Sequence, residues 1–355
     1  MEKKEKKYYG LYREIKSKIL SGEYRSGEKL PSKRVMADRM GCSLVTVETA
    51  YGMLEDEGYI LSRQRSGYYV SPIDAFVTDS AARPVAFTYL EETEDLPRGE
   101  LEYSVWFKTV RKVISEQGNR LFIKAPNQGC AVLRNAIADY LYRYRGMIAD
   151  PARIVIGSGS EQLYEIVVKL LGRERIFGVE DPCYKQIRTV YGEMGAAICP
   201  LRMGRDGIET EDLQSKRFDV LHVTPFHSYP SGVTTVASKR HEYLRWAERT
   251  GNYIVEDDFD SEFFIPGNPI ESLYALGGGR SVIYVNTFSK SLSPAMRIGY
   301  MILPEELIAE YDRRLGMFSC SVPVMDQYIL AEFIASGSFE RHLNRVRRRI
   351  RREKE

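Results

Sequence analysis

Cysteine, histidine and tryptophan are scarce in this 355-residue chain, at five, four and two. The cysteines (42, 130, 183, 199, 320) are odd in number and contain no Cys-x-x-Cys pair, and the histidines are equally scattered. Neither set has the spacing of a zinc site or a disulfide framework, so no metal is expected. No apolar run reaches the ~18 residues of a membrane-spanning helix. The basic opening MEKKEKKYYG lacks the apolar stretch of a secretion signal. Excess charge is small too: 51 Lys and Arg stand against 49 Asp and Glu, a net +2. At 43% hydrophobic and 28% charged residues, the composition excludes a disordered or fibrous chain. What remains is a reduced, cytoplasmic protein without a membrane partner, long enough for two or three domains.

The charge is unevenly placed. Residues 1–70 hold 14 Lys and Arg against 10 Asp and Glu, and the last fifteen, RHLNRVRRRIRREKE, hold seven Arg and one Lys against two Glu. A basic N-terminal module on a near-neutral body suggests an anionic partner for that module. At the other end Leu343, Val346 and Ile350 recur at helical spacing, which reads as an exposed amphipathic helix rich in arginine.

Within the first seventy residues, Leu11, Ile15, Ile19 and Leu20 share one helical face, with Gly22 as a stop. Ser32 can cap a second helix with apolar positions Val35, Met36 and Met40, ended by Gly41. Ser43 can cap a third, with Val47, Ala50, Tyr51 and Leu54 inward and Gly58 as its stop. Two β-rich runs, YILSR and GYYV, follow. Three helices and a hairpin make a winged helix-turn-helix, whose third helix suits the major groove of DNA. The run from Leu11 to Val70 resembles the GntR-type DNA-binding domain in order, spacing and turn residues. That resemblance implies DNA-facing roles for Ser32, Lys33, Arg34, Ser43, Leu44, Thr46, Arg63, Arg65 and Gly67. The family usually has Arg where Leu44 stands. Arg bonds guanine bidentately, whereas Leu offers apolar contact, for instance with a thymine methyl.

From residue 71 to about 99, proline, small residues and an acidic cluster show no periodicity and read as linker. Beyond it, apolar runs such as RIVI, RIFGV, DVLHV, NYIV and SVIYV alternate with amphipathic helical stretches. Such alternation argues for a mainly parallel α/β sheet with ligands at the carboxyl ends of its strands. Polar clusters sit at those ends. GSGSEQ opens a helix, as an ordinary turn or as a phosphate cradle of N–H groups. VEDDFDSEF presents Asp257, Asp258 and Asp260 without a nearby histidine, and NTFSKSLSPAMRIGY carries Ser289, Lys290 and Arg297.

Together these clusters resemble a fold-type I, aminotransferase-like pyridoxal 5′-phosphate (PLP) domain, over roughly 122–311. The matching stretches are NQGC-x-x-LR-x-AIADYL, GSGSEQ, EDPCY, TPFHSYPSG, IVEDDFDSEF and TFSKSLSPAMRIGY. A winged helix ahead of such a domain is the MocR (GabR-like) architecture within the GntR family. The resemblance implies that Lys290 forms the Schiff base with PLP and that Asp257 lies beneath the pyridine nitrogen. It implies that Arg297, Ser289, Ser158, Gly159 and Ser160 hold the phosphate and that Tyr184 stacks on the ring. His227, Pro230, Ser231 and Gly232 would shape the floor near the phenolic oxygen.

Three features depart from the pattern. Phe259 stands where the family has a tyrosine hydroxyl, and Ser228 replaces a Gln. The chain stops at Glu355, inside the helix leading to the subdomain that supplies a carboxylate-gripping arginine, which implies truncation and at most vestigial transaminase activity. The expected organisation is a winged helix over 1–72, a linker over 73–100 and a PLP domain over 101–355 without its C-terminal subdomain. The function implied is a homodimeric, PLP-dependent transcriptional regulator that binds operator DNA and senses PLP, an amine or an amino acid through aldimine chemistry at Lys290. Two alternatives stand beside it: an aminotransferase-like enzyme, and a repressor whose PLP domain is only a dimerisation scaffold.

Overall fold

Leu11, Tyr12, Ile15 and Ile19 recur every three or four residues and form the buried side of helix α1 (Lys7–Leu20) in a computed structural model. That structure describes residues 7–64, 66–72, 103–259, 261–263 and 271–354. The chain divides into two compact units, Met1–Glu94 and Asp95–Glu355. The expected linker, 73–100, lies outside the described residues.

In the first unit α2 (Lys33–Met40) begins at Ser32, whose Oγ accepts the Val35 N–H, and ends at Gly41 in the left-handed region with φ 56°. Helix α3 (Leu44–Asp56) is capped by Ser43 and buries Val47, Ala50, Tyr51 and Leu54 completely. A two-stranded wing follows, β1 (Ile60–Arg63) paired antiparallel with β2 (Gly67–Val70). The Leu30 N–H donates to the Tyr68 carbonyl at 2.9 Å, which ties the wing to the turn before α2. The inward positions of α2 differ from expectation. Met36 and Ala37 are buried, while Val35 and Met40 are exposed, because an eight-residue helix buries one narrow stripe against α3.

The second unit contains α4 (Tyr103–Gln117), α5 (Ala131–Arg145), β3 (Ile154–Gly157), α6 (Ser160–Leu171), β4 (Ile176–Asp181) and α7 (Lys185–Glu193). It continues through β5 (Ala197–Arg202), α8 (Thr210–Ser215), β6 (Val220–Val223), α9 (Ala237–Thr250), β7 (Tyr253–Asp257), α10 (Leu273–Leu276) and β8 (Val282–Thr287). Then come α11 (Phe288–Ser291), β9 (Gly299–Ile302), α12 (Glu305–Leu315), α13 (Val324–Ala335) and α14 (Ser338–Lys354). The sheet order is β3-β9-β8-β7-β6-β4-β5, with β9 antiparallel to both neighbours and the other pairings parallel. This is the fold-type I α/β architecture expected. Strands β3, β6 and β8 are buried along their whole length, since helices cover both faces. Period-two alternation sends Ile154, Ile156, Ile254 and Tyr284 into one core, and Val155, Val255, Ile283 and Val285 into the other.

The arginine-rich C-terminal helix is amphipathic as expected, with several arginines exposed but its apolar face buried. Leu343 and Val346 on α14 are buried, Leu343 within the main core, and the His342 ring meets the Ser291 carbonyl at 2.9 Å. Among the described residues no helix is long and apolar enough to cross a membrane.

Alternation along β7 also buries Glu256 and Asp258 on the side opposite Asp257. Glu256 accepts the N–H groups of Leu273 and Tyr274 at 2.7 and 2.9 Å, yet burial and the Asp258 carboxylate push its pKa up to about 8. The unfolded chain releases this proton near 4.5. The contribution of Glu256 to stability is therefore full below about pH 4.5 and declines as pH rises towards 8. Glu256→Gln is expected to flatten that decline, read as the thermal midpoint across the same pH window.

Candidate cofactor site and DNA-facing surface

All strands of the large sheet except β9 run the same way, so Gly157, Asp181, Val223, Asp257 and Thr287 end at one edge. The polar clusters read from the sequence follow these residues directly. The edge collects them from distant parts of the chain, as open α/β sheets do.

Asp257 ends β7 and is 3% exposed. The Tyr164 hydroxyl from α6 donates to its Oδ2, and His222 Nε2 from β6 lies 3.8 Å from the same oxygen. Asp257 Oδ1 and His222 Nε2 have no hydrogen-bond partner among the described residues. His222 is held through Nδ1 by the Tyr191 hydroxyl at 2.7 Å. A buried carboxylate with one open oxygen is costly unless a donor meets it. Tyr164, Tyr191 and His222 did not emerge from the sequence. The available signal was a lone histidine inside the buried run VLHV, but its nearness to Asp257 depends on strand register, His222 opposite Val255.

Along the same edge, β3 is followed by Ser158 and Gly159. The Ser158 N–H and Oγ both donate to Gln162 Oε1, at 2.7 and 3.1 Å. Gly159 has φ 93°, and a Cβ there would lie 2.9 Å from an Arg297 Nη, so the guanidinium packs against bare backbone at the start of α6. Arg297 also pairs with Glu161 Oε2 at 2.8 Å. Ser289, past the end of β8, takes the Thr287 hydroxyl on its Oγ at 3.0 Å. The structure thus brings Ser158, Gly159, Ser160 and Arg297 together, with Ser289 bound to Thr287 at the end of β8.

Lys290 lies in α11, with its Nζ 4.3 Å from the centre of the Phe259 ring. Tyr184 caps α7 and meets Tyr229 edge-on at 6.0 Å. His227 is exposed on the loop after β6, with its Nε2 3.9 Å from where a Gly232 Cβ would stand. Ser228 is fully buried and turned from that loop into the protein, where its Oγ donates to Glu180 Oε2 at 2.7 Å. Thr224 donates to Glu180 as well, through both its N–H and its hydroxyl. Asp258 belongs to a separate buried cluster with Arg145 at 2.9 Å and the Tyr284 hydroxyl. Asp260 lies outside the described residues.

On the first unit Ser43 Oγ accepts the Thr46 N–H at 3.2 Å and bonds the Thr46 hydroxyl at 2.8 Å. Leu44 and Val45 beside them are 41% and 68% exposed. Lys33 pairs with Glu48 at 3.2 Å and lies over the Tyr68 ring, while Ser32 and Arg34 are exposed. Arg63 stacks on Tyr69 at 4.4 Å. Gly67 opens β2 at φ 113°, where a Cβ would lie 3.2 Å from Lys29 Cε. Arg65 lies outside the described residues.

Residues 7–70 match the family of bacterial regulatory proteins, gntR family, and residues 95–355 match aminotransferase class I and II. The uncharacterized HTH-type transcriptional regulator YdeL of Bacillus subtilis (strain 168) is 33% identical over 98% of this chain and 77% of its own length. The probable rhizopine catabolism regulatory protein MocR of Rhizobium meliloti is 30% identical, over 95% of this chain and 73% of its own. The kynurenine aminotransferase of Pyrococcus horikoshii shares the fold of the second unit, with a TM-score of 0.62 at 24% identity. That match covers 70% of this chain and 64% of the enzyme, so the chain spans less than two thirds of the enzyme's length. The cofactor of the domain is PLP. The open oxygen of buried Asp257 suits a pyridinium N–H, and the bare backbone of Gly159 beside Arg297 suits a phosphate. The chain belongs to the class I and II aminotransferase family and, through the gntR-type unit ahead of that domain, to the MocR type of HTH transcriptional regulators.

Proposed function

We propose that this regulator senses PLP, or an amine or amino acid that reacts with it, at Lys290, and answers by changing its hold on operator DNA. The observation that carries the reading is Asp257, a buried carboxylate whose Oδ1 lacks a partner among the described residues. The neighbouring strand β8, where Val285 lies opposite Asp257, leads into the helix that bears Lys290. When bound, PLP supplies an electron-accepting ring and an aldehyde. Asp257 would keep the ring nitrogen protonated, Tyr164 orients that carboxylate, and Arg297 with the start of α6 would hold the phosphate. Lys290 supplies the primary amine and Tyr184 would cover the ring. Phe259 gives the Lys290 amine an aromatic face in place of a hydroxyl donor, which favours a sensor over rapid turnover.

Such a signal acts only if PLP or its amine partner binds the DNA-competent and incompetent arrangements with different affinity. A homodimer would present two winged helices to paired half-sites. At the DNA, the polar side chains near the start of α3 are engaged locally: Ser43 with Thr46, Thr49 with the Val45 carbonyl, and Glu48 with Lys33. Leu44 and Val45 are the exposed apolar side chains there, and they suit contact with thymine methyl groups.

Two measurements test these readings. Added PLP is expected to give the wild type a visible absorption band that Lys290→Ala lacks. Borohydride should then fix the cofactor's mass on the Lys290 peptide. A band of equal strength in the variant would leave the domain as a dimerisation scaffold. For the DNA reading, replacing contacted thymines with deoxyuridine removes only the methyl. A roughly fourfold loss of affinity per contacted methyl is expected, with little loss for Leu44→Ala. Equal binding of both operators by the wild type would exclude apolar readout while leaving DNA binding intact.

A further inference from the structure

We propose that Glu161 competes with the phosphate of PLP for Arg297 and so keeps the cofactor exchangeable, which lets its concentration act as the signal. The inference rests on the PLP-sensing reading above and assigns it a regulator. Glu161 is the second residue of α6, and its Oε2 lies 2.8 Å from Arg297 Nη2. The same guanidinium packs against Gly159, at the point where the backbone of this turn would receive a phosphate. The neighbouring Gln162 has a different task. Its Oε1 accepts from the Ser158 N–H and Oγ, and from Ser321 Oγ at 2.6 Å, so it fixes the shape of the turn. Glu161 alone of the two brings a negative charge to the anion position.

A phosphate held by Arg297 would therefore share its cation with a carboxylate already in contact. Either Glu161 turns out to solvent and gives up the ion pair, or it stays and repels a group carrying nearly two negative charges. Both routes weaken binding of the phosphate specifically. Arg297 and Glu161 are 51% and 49% exposed, and an ion pair so open adds little to stability. Removing the charge should thus leave the fold intact.

The test compares the wild type with Glu161→Gln, which keeps the side chain's shape, by direct titration with PLP and with pyridoxal, which has no phosphate. Glu161→Gln is expected to bind PLP roughly tenfold more tightly at low salt, with the gain shrinking as salt is added. Pyridoxal affinity should stay the same, and inorganic phosphate titrated alone should show a gain comparable to that of PLP. Equal PLP affinity in the two proteins would overturn the proposal, as would an equal gain for pyridoxal. If neither protein forms a Lys290-dependent complex with PLP, the sensing reading fails, and this inference fails with it.

Discussion

Asp257 sets the terms for the larger unit, because a carboxylate 3% exposed at a strand end must have its charge met. Tyr164 meets part of it from α6, which starts at the proposed phosphate turn, and His222 stands behind from the adjacent strand. The two cores hold this arrangement rigid. Helices on both faces bury the strands along their length, so the period-two pleat has no freedom to slip. A slip of one residue would exchange Asp257 with Glu256 or Asp258, moving the site's carboxylate to the Arg145 side and a cluster member to the strand edge.

That dependence explains what could be read from the residues. The α/β class was legible because apolar strands and amphipathic helices differ in period. The winged helix was legible because Ser32, Gly41 and Ser43 mark helix ends with chemistry that works locally. The strand-end clusters around Gly159, Asp257 and Lys290 stood out as polar runs after apolar ones. Tyr164, Tyr191 and His222 did not, since aromatic residues within apolar stretches look like core until register is known. Ser228 stood out in the sequence only as a departure from the family's Gln, and its partner could not be read there: the buried carboxylate of Glu180 draws its hydroxyl inward. Glu180 is itself held above the ordinary range for a carboxyl by burial.

The ends of the chain show what charge patterns leave open without packing. Arginine density at the C-terminus suggested an exposed helix, yet Leu343 and Val346 anchor α14 and leave much of its arginine run facing outward. Net positive charge in the first seventy residues suggested an anionic partner, in keeping with the gntR-family match. The structure adds where two of the cations stand: Lys33 is committed to Glu48, and Arg63 lies over Tyr69. Local commitments of this kind fix where the cations stand, and they leave the first turn of α3 with apolar rather than charged side chains facing out.

A sensor and an enzyme ask opposite things of the same pocket. Turnover rewards a cofactor that stays bound and a hydroxyl that assists proton transfer, because each cycle returns to the same bound state. Sensing rewards a cofactor whose occupancy follows its concentration, since a site that is always full reports nothing. Two contacts at the proposed cofactor site point the same way. Phe259 puts a ring, not a hydroxyl, against Lys290, and Glu161 puts a carboxylate on the cation proposed to hold the phosphate. The fold-type I scaffold is kept, and on the proposed reading the groups around Lys290 and Arg297 would favour exchange over catalysis.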